Sequence, residues 1–346
     1  MGAHVPIVAR KDDLPIQVPA LVNLIARTQL PDGRIPWSTG EKTDPWDHVE
    51  SAMGLTIGGL YGQARKAFEW LRRHQRDDGG WYAAYGEKGV LDFTRESNHA
   101  AYVGVGLYHY YLTTGDLRFV RTMWPTVEAA MDFVLKLQAP GGEIYWAVNP
   151  RGEVDPMALL TGSSSICFSL KCALALSRLL GLEQSRWRVA LQRLEACIAG
   201  KPQHFNMTKS RYSMDWFYPV LCGAVQGAEA QARIDKYWKK FVIQDAGVQC
   251  VSDQPWVTIA ESCELVMALA AMGNHLQARI VFNWICDCTF EDHTFWCGFT
   301  FPDMVLWPAE KITWTNAVVL MAADALYGLT PAGRLFSHAY WEELCI

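Results

Sequence analysis

The chain has 346 residues, a net charge of −5, 50% hydrophobic and 19% charged residues. That is enough for one large domain or two small ones with a sizeable core, and no Lys/Arg run marks a nucleic-acid surface. Fifteen Trp, thirteen Tyr and fourteen Phe suit either a dense core or a pocket for flat apolar faces such as those of sugars or isoprenoids. The N-terminus, MGAHVPIVARKDDLP, lacks the apolar stretch of a signal peptide, and Pro6 occupies the Ser/Thr position of a myristoylation signal. No segment reads as the ~20 apolar residues of a membrane span. The ten Cys all lie from Cys167 onward, and Cys167, Cys172, Cys197, Cys222 and Cys263 sit in apolar helical stretches. They read as buried free thiols of a cytoplasmic protein.

Along the chain the apolar residues recur at helical spacing, with little sustained alternation. Helices are predicted over 15–28, 46–59, 61–75, 97–114, 117–138, 161–181, 184–199, 214–226, 228–242, 256–272, 274–288 and 313–327. Those at 61–75, 117–138, 184–199, 228–242 and 274–288 are amphipathic and suit an outer layer. Those at 46–59, 97–114, 161–181, 256–272 and 313–327 are rich in Ala, Gly, Ser and Leu, poor in charge, and suit a crowded inner layer. Inner-to-outer links are short, whereas outer-to-inner links are long. Three of the long links share a Gln, a Gly four residues on, and then a Trp: Gln29/Gly33/Trp37, Gln75/Gly79/Trp81 and Gln138/Gly142/Trp146. Repeated units with insertions on one face mark a repeat array. The expected fold is a single all-α (α/α)6 toroid of six helical hairpins over 1–346. The alternative is an open solenoid, whose ends require polar caps that this chain lacks.

One repeat carries acids. D-H-V-E-S-A-M-G-L (Asp47–Leu55) and E-S-C-E-L-V-M-A-L (Glu261–Leu269) each lead into Q-A-R-x-x-F-x-W-[LI], from Gln63 and from Gln277. Asp47/Glu50 therefore correspond to Glu261/Glu264. In a toroid the inner helix starts converge on a central funnel. Those starts offer Asp44, Asp47, His48 and Glu50; Glu96, Asn98 and His99; Asp155 and Ser163 to Ser165; Asp215, Trp216 and Tyr218; Asp253, Glu261 and Glu264; and Asp303, Glu310, Lys311 and Trp314. Trp37, Trp46, Trp81, Trp146, Trp216, Trp256, Trp307 and Trp314 fall in the same region. Acids among aromatic faces have the composition of a carbohydrate site.

Each acid also has a plainer explanation. Carboxylates in a first helical turn are favoured by the helix dipole; Asp44-Pro45 is a good N-cap, and Thr258-x-x-Glu261 has the form of a capping box. Glu50 and Glu264 lie one turn deeper on nearly uncharged helices, where a carboxylate is costly unless paired or functional. Cys286-Asp287-Cys288 with Asp292 and His293 is a poor metal site, because residues two apart on a helix do not face one another. His48 and His99 are either an acid/base pair or satisfied rim histidines.

The Gln…Gly…Trp loops, best copied in W-L-R-R-H-Q-R-D-D-G-G-W (Trp70–Trp81), resemble those of triterpene cyclases and prenyltransferase barrels. The D-x-D-D motif and the zinc ligands of those families are missing. D-P-W-D-H-V-E (Asp44–Glu50), L-L-T-G-S-S-S (Leu159–Ser165), D-W-F-Y-P-V-L-C-G (Asp215–Gly223) and V-S-D-Q-P-W-V-T-I-A-E-S-C-E (Val251–Glu264) together resemble the bacterial (α/α)6 proteins labelled prenyltransferase-like, which include mycobacterial methylmannose polysaccharide hydrolases. That resemblance implies an inverting glycoside hydrolase acting on an α-linked, mannan-like oligo- or polysaccharide, without metal or cofactor. Asp47 is then expected as general acid and Glu261 as general base. Asp44, Glu50 and Glu264 support them, and Trp46, Asn98, Asp215, Trp216, Tyr218, Trp256 and Trp314 shape the subsites. The alternatives are a sugar epimerase or isomerase working through His48 and His99, and a non-catalytic glycan- or prenyl-binding barrel.

Overall fold

A computed structural model describes residues 14–344; the reading of the extreme N-terminus falls outside the described residues. The first helices are α1 (Val18–Thr28), α2 (Pro45–Ile57), α3 (Tyr61–His74), α4 (Ser97–Ala101) and α5 (Val103–Thr114). They are followed by α6 (Leu117–Lys136), α7 (Leu160–Leu180), α8 (Ser185–Gly200), α9 (Met214–Leu221) and α10 (Gly227–Phe241). The last are α11 (Ile259–Ala271), α12 (His275–Ile285), α13 (Thr313–Tyr327) and α14 (His338–Leu344).

Helices α2, α4–α5, α7, α9, α11 and α13 pack in sequence, and α13 packs back on α2. This contact closes the ring and rules out the open solenoid. Helices α1, α3, α6, α8, α10 and α12 lie outside it, so the fold is an (α/α)6 toroid. The small residues of the inner layer explain its closeness. A methyl group added at Gly106 would lie 2.4 Å from Val49 of α2, and one at Gly54 would lie 3.0 Å from Ala317 of α13.

The three Gln…Gly loops are architectural. Gln29 Nε2 donates to the carbonyls of Gly33 and Gln63, Gln75 to Gly79 and Thr126, and Gln138 to Gly142 and Ala190. Each loop is thereby stapled to the next outer helix. Gly33, Gly79 and Gly142 have φ of +98°, +99° and +109°, and an added Cβ would meet a carbonyl oxygen of that helix at 2.2, 2.0 and 2.5 Å. Only glycine meets both demands.

The structure departs from the sequence reading in five places. The helix expected over 97–114 is interrupted at Tyr102. The one expected over 214–226 stops at Leu221, just before Gly223 at φ +68°. Residues 256–258 are a strand rather than a helix start, since Trp-Val-Thr favours the extended state and finds a partner strand. Short strands also occupy the long loops: β1 (Ala84–Gly86), β2 (Gly89–Asp92), β3 (Arg95–Glu96), β4 (Tyr145–Val148), β5 (Val154–Ala158), β6 (Val242–Ile243), β7 (Gly247–Gln249), β8 (Trp256–Thr258) and β9 (Gly298–Thr300). They form antiparallel sheets β1-β2, β3-β4-β5 and β6-β7-β8-β9. Lastly, α7 has the length and composition of a membrane span, yet it is an inner-ring helix with most of its residues buried.

The segment after α13 plugs the ring from within. Phe336 stacks on Phe168 at 4.8 Å, Trp341 packs on Phe168 and Tyr108, and His338 bonds the Val220 carbonyl.

Candidate functional site

The acid repeat places two pairs of carboxylates at the starts of α2 and α11, which both pack on α13. Pro45 at the first helical position and Asp44 at the N-cap fix the start of α2. Asp44 accepts from the Asp47 amide at 2.9 Å and from the Trp37 indole at 2.7 Å. Asp44 is therefore occupied as a cap and as an anchor for Trp37. Within the first turn, Asp47 remains partly exposed. Burial and then the charges of Asp44 and Glu50 raise its pKa well above the ordinary carboxylate range.

On α11 the capping box does not form. Thr258 belongs to β8, and its buried hydroxyl has no protein partner. Released from a capping role, Glu261 is partly exposed. The thiols of Cys250 and Cys297 flank it. Burial and then the charge of Glu261 push Cys297 up to about 12, and Asp47 contributes to the same shift. The burial of Cys250 is likewise compounded by Glu261. Both acids thus act on one enclosed space. Cys250 and Cys297 were not legible as site residues, since nothing in their spacing relates them to Glu261.

Beneath these acids Glu50 and Glu264 are buried, 4% and 5% exposed. Glu50 accepts from the Trp46 indole at 2.8 Å and from Tyr102 at 3.4 Å, while Tyr218 donates to Glu264 at 2.5 Å. Burial, reinforced by the charge of Asp44, pushes Glu50 up to about 8. Burial, then Glu50 and Glu261, push Glu264 well above its ordinary range. Burial therefore favours the neutral form of both repeat-equivalent acids, which serve as hydrogen-bonding groups of the floor. Trp46 lies over this floor, 5.4 Å from Tyr102, 6.0 Å from Tyr218 and 6.4 Å from His99. Tyr102 was missed because its ring is aimed by the interruption between α4 and α5.

Several expected residues stand elsewhere. The His48 ring accepts from the Ile35 amide and bonds the Ala67 carbonyl, and burial lowers its pKa to about 4. It is a neutral structural link rather than half of a histidine pair. His99 stays beside Trp46 and Glu96. Asp215 accepts from the amide and hydroxyl of Thr161, so it caps α7 from a neighbouring helix. Trp216 is 2% exposed, stacked on Phe241 of α10, with its indole donating to the Arg233 carbonyl. Both line an outer pocket with Arg233 and Tyr237; an aromatic beside an acid at a helix start serves equally to join layers. Trp81 is likewise buried, bonded to the Leu71 carbonyl. Asn98 is buried at the junction of α4 with Gly162 of α7. Trp314 packs edge-on to Trp37 at 5.9 Å, with its indole nitrogen unpaired.

At the Cys/Asp/His segment set aside above as a poor metal site, Cys286 donates to the Phe282 carbonyl and Asp292 pairs with Lys311. Elsewhere Glu143, Cys197 and His204 bring donor atoms within 4.8 Å of one another. They bond among themselves, His204 to Glu143 at 2.9 Å, which ties the turn after α8 to the strand β4 hairpin.

No protein-family model matches the chain. The structure resembles a GH63 mannosylglycerate hydrolase from Thermus thermophilus (TM-score 0.70, 12% identity, 87% of this chain and 98% of that one). It also resembles D-mannose isomerase (TM-score 0.71, 12% identity, 94% and 99%). These likenesses support the toroid. In sequence the chain is 48% identical to the MMP endo-(1,4)-3-O-methyl-alpha-D-mannosidase of Mycolicibacterium hassiacum over 322 residues, 93% of this chain and 89% of that protein. With that identity over nearly its whole length, and with paired acids above an aromatic floor, the chain belongs to the family of this mannosidase and is a glycoside hydrolase.

Proposed function

We propose that the protein cleaves internal α-(1→4) bonds of a 3-O-methylated mannan with inversion, using Asp47 as general acid and Glu261 as general base. The observation that carries this is the contrast within each repeat: Asp47 and Glu261 are accessible, while Glu50 and Glu264 are buried and engaged. Burial and the neighbouring acids raise the pKa of Asp47, which favours the protonated form a general acid needs. Asp47 passes that proton to the glycosidic oxygen as the C–O bond breaks. Glu261 takes a proton from a water that attacks the anomeric carbon from the opposite face. The charges of Asp47 and Glu261 both reach the Cys297 thiol, so the two acids face a shared space in which an inverting enzyme holds its sugar and attacking water. Trp46 offers its ring as the sugar platform, with Tyr102 and Tyr218 beneath.

The polysaccharide assignment rests on the relative's activity. The isomerase alternative loses its support with the structural role of His48. The test is NMR-monitored hydrolysis of α-(1→4)-mannan oligosaccharides, methylated and not, by the unsubstituted enzyme, Asp47→Asn and Glu261→Gln. A β-configured product, lost in both variants while they remain folded, is expected. An α-configured product, or turnover surviving in either variant, refutes the assignment.

A further inference from the structure

The sheet β6-β7-β8-β9 is continued by a further short pairing. Phe299 bridges Leu306, Thr300 N–H donates to the Val305 carbonyl, and Trp307 N–H donates to the Gly298 carbonyl. Residues 298–307 thus form a hairpin whose returning arm is the outermost strand. Directly opposed residues of antiparallel strands share a face. The register opposes Val248 to Thr258 and Trp256 to Thr300, and Cys250 N–H donates to the Trp256 carbonyl. One face therefore carries the row Cys250, Trp256, Thr300, Val305 and beside it the pair Gly298 and Trp307.

The inner end of this row is at Glu261, the acid beside which the Cys250 thiol lies. Strands are ~4.8 Å apart, so the row runs from the catalytic acid outward over ~14 Å, about the length of two or three sugar rings. Its outer part is apolar and open: Val305 and Trp307 are 55% and 60% exposed. Trp256 packs on Trp307 at 5.1 Å, and its indole N–H is committed to the Trp307 carbonyl at 3.0 Å. Gly298 makes this possible, since an added Cβ would lie 2.8 Å from that indole nitrogen. The strip consequently exposes rings and a branched aliphatic, and the Trp256 indole donor is already used.

We propose that Trp256, Val305 and Trp307 form a subsite wall that reads the methyl ethers of the substrate, and so set selectivity for methylated over unmethylated mannan. This rests on the mannan-hydrolase reading above. A methyl ether gains by leaving water against such a surface, whereas a free hydroxyl placed there loses its hydrogen bonds without replacement. Apolar pockets discriminate groups of this size by about ten- to a hundredfold.

The experiment compares kcat/KM for 3-O-methylated and unmethylated α-(1→4)-mannan oligosaccharides of equal length. The enzymes are the unsubstituted protein, Val305→Thr, which is nearly isosteric, and Trp307→Ser. Both side chains are more than half exposed, so folding is preserved; the melting temperature checks this. The unsubstituted enzyme is expected to prefer the methylated glycan by at least about tenfold. Each variant is expected to raise KM on that glycan alone, with kcat little changed, and together they reduce the preference below about threefold. Equal cleavage of both glycans by the unsubstituted enzyme, or variants that slow both equally, overturns the wall's role and leaves the hydrolase reading intact. Cleavage of neither glycan overturns the mannan reading itself, and this inference with it.

Discussion

Replacing Glu50 by Gln perturbs one proton and little else. The amide oxygen of Gln keeps the acceptor that takes the Trp46 indole hydrogen at 2.8 Å and the Tyr102 hydroxyl at 3.4 Å. What disappears is a carboxyl held at about 8 by burial, against 4.5 in an exposed chain. Below pH 4.5 the folded and unfolded states both bind the proton. Between 4.5 and 8 the unfolded chain releases it and the folded protein retains it, so stability falls as pH rises. Above 8 both release it and the fall ends. A shift from 4.5 to about 8 corresponds to about 5 kcal/mol in all, at 1.36 kcal/mol per pH unit. For a chain of 346 residues that is ~7 °C in melting temperature, at ~2.1 cal/mol/K of unfolding entropy per residue. Glu50→Gln removes this loss, so at pH 8.5 the variant should melt several degrees above the unsubstituted protein. At pH 5 the gain should be about 1 °C, because little of the window has been crossed. Calorimetry at the two pH values decides it. A melting difference that is the same at both refutes the claim that Glu50 is buried as a neutral acid.

Further outcomes follow from the same geometry. Asn caps helices as well as Asp, so Asp44→Asn should keep α2 while removing a charge that raises Asp47. The alkaline limb of the pH–rate profile then moves to lower pH, and an unmoved limb argues against Asp47 as the acid. Tyr218→Phe leaves Glu264 without its donor and should cost about 1–3 kcal/mol in denaturant melts; a neutral result would separate the two groups. Gly79→Ala forces a side chain into φ +99° and against the Ala129 carbonyl. It should lose about 1–3 kcal/mol from backbone strain alone, with the clash added, whereas Gly115→Ala, which meets no neighbour, should lose only the strain.

The helical repeat was legible because inner and outer helices face different surroundings. Outer helices touch water on one side and so alternate charge with apolar residues; inner ones touch protein all round and shed charge in favour of Gly, Ala and Ser. The 214-residue offset between Asp47/Glu50 and Glu261/Glu264 was visible for the same reason. The pairing of Gln29, Gln75 and Gln138 with glycines four residues on is likewise local, and it survives as three identical staples.

What the sequence by itself determined is therefore the toroid, its repeat and the set of acids, since helix periodicity and the spacing of first-turn carboxylates are properties of neighbouring residues. Which acid is accessible and which is sunk in the floor depended on contacts across the ring. Glu50 and Glu264 are engaged by Trp46, Tyr102 and Tyr218, whereas at the start of α11 the N-cap Thr258 makes no side-chain cap bond and the capping box with Glu261 does not form. Tertiary structure also decided against Asp215 and Trp216, which look the same in sequence as a sugar subsite but pack between helical layers. A carboxylate or an indole is an equally good cap, core filler or ligand contact, and only the three-dimensional positions of its neighbours determine which of these it becomes.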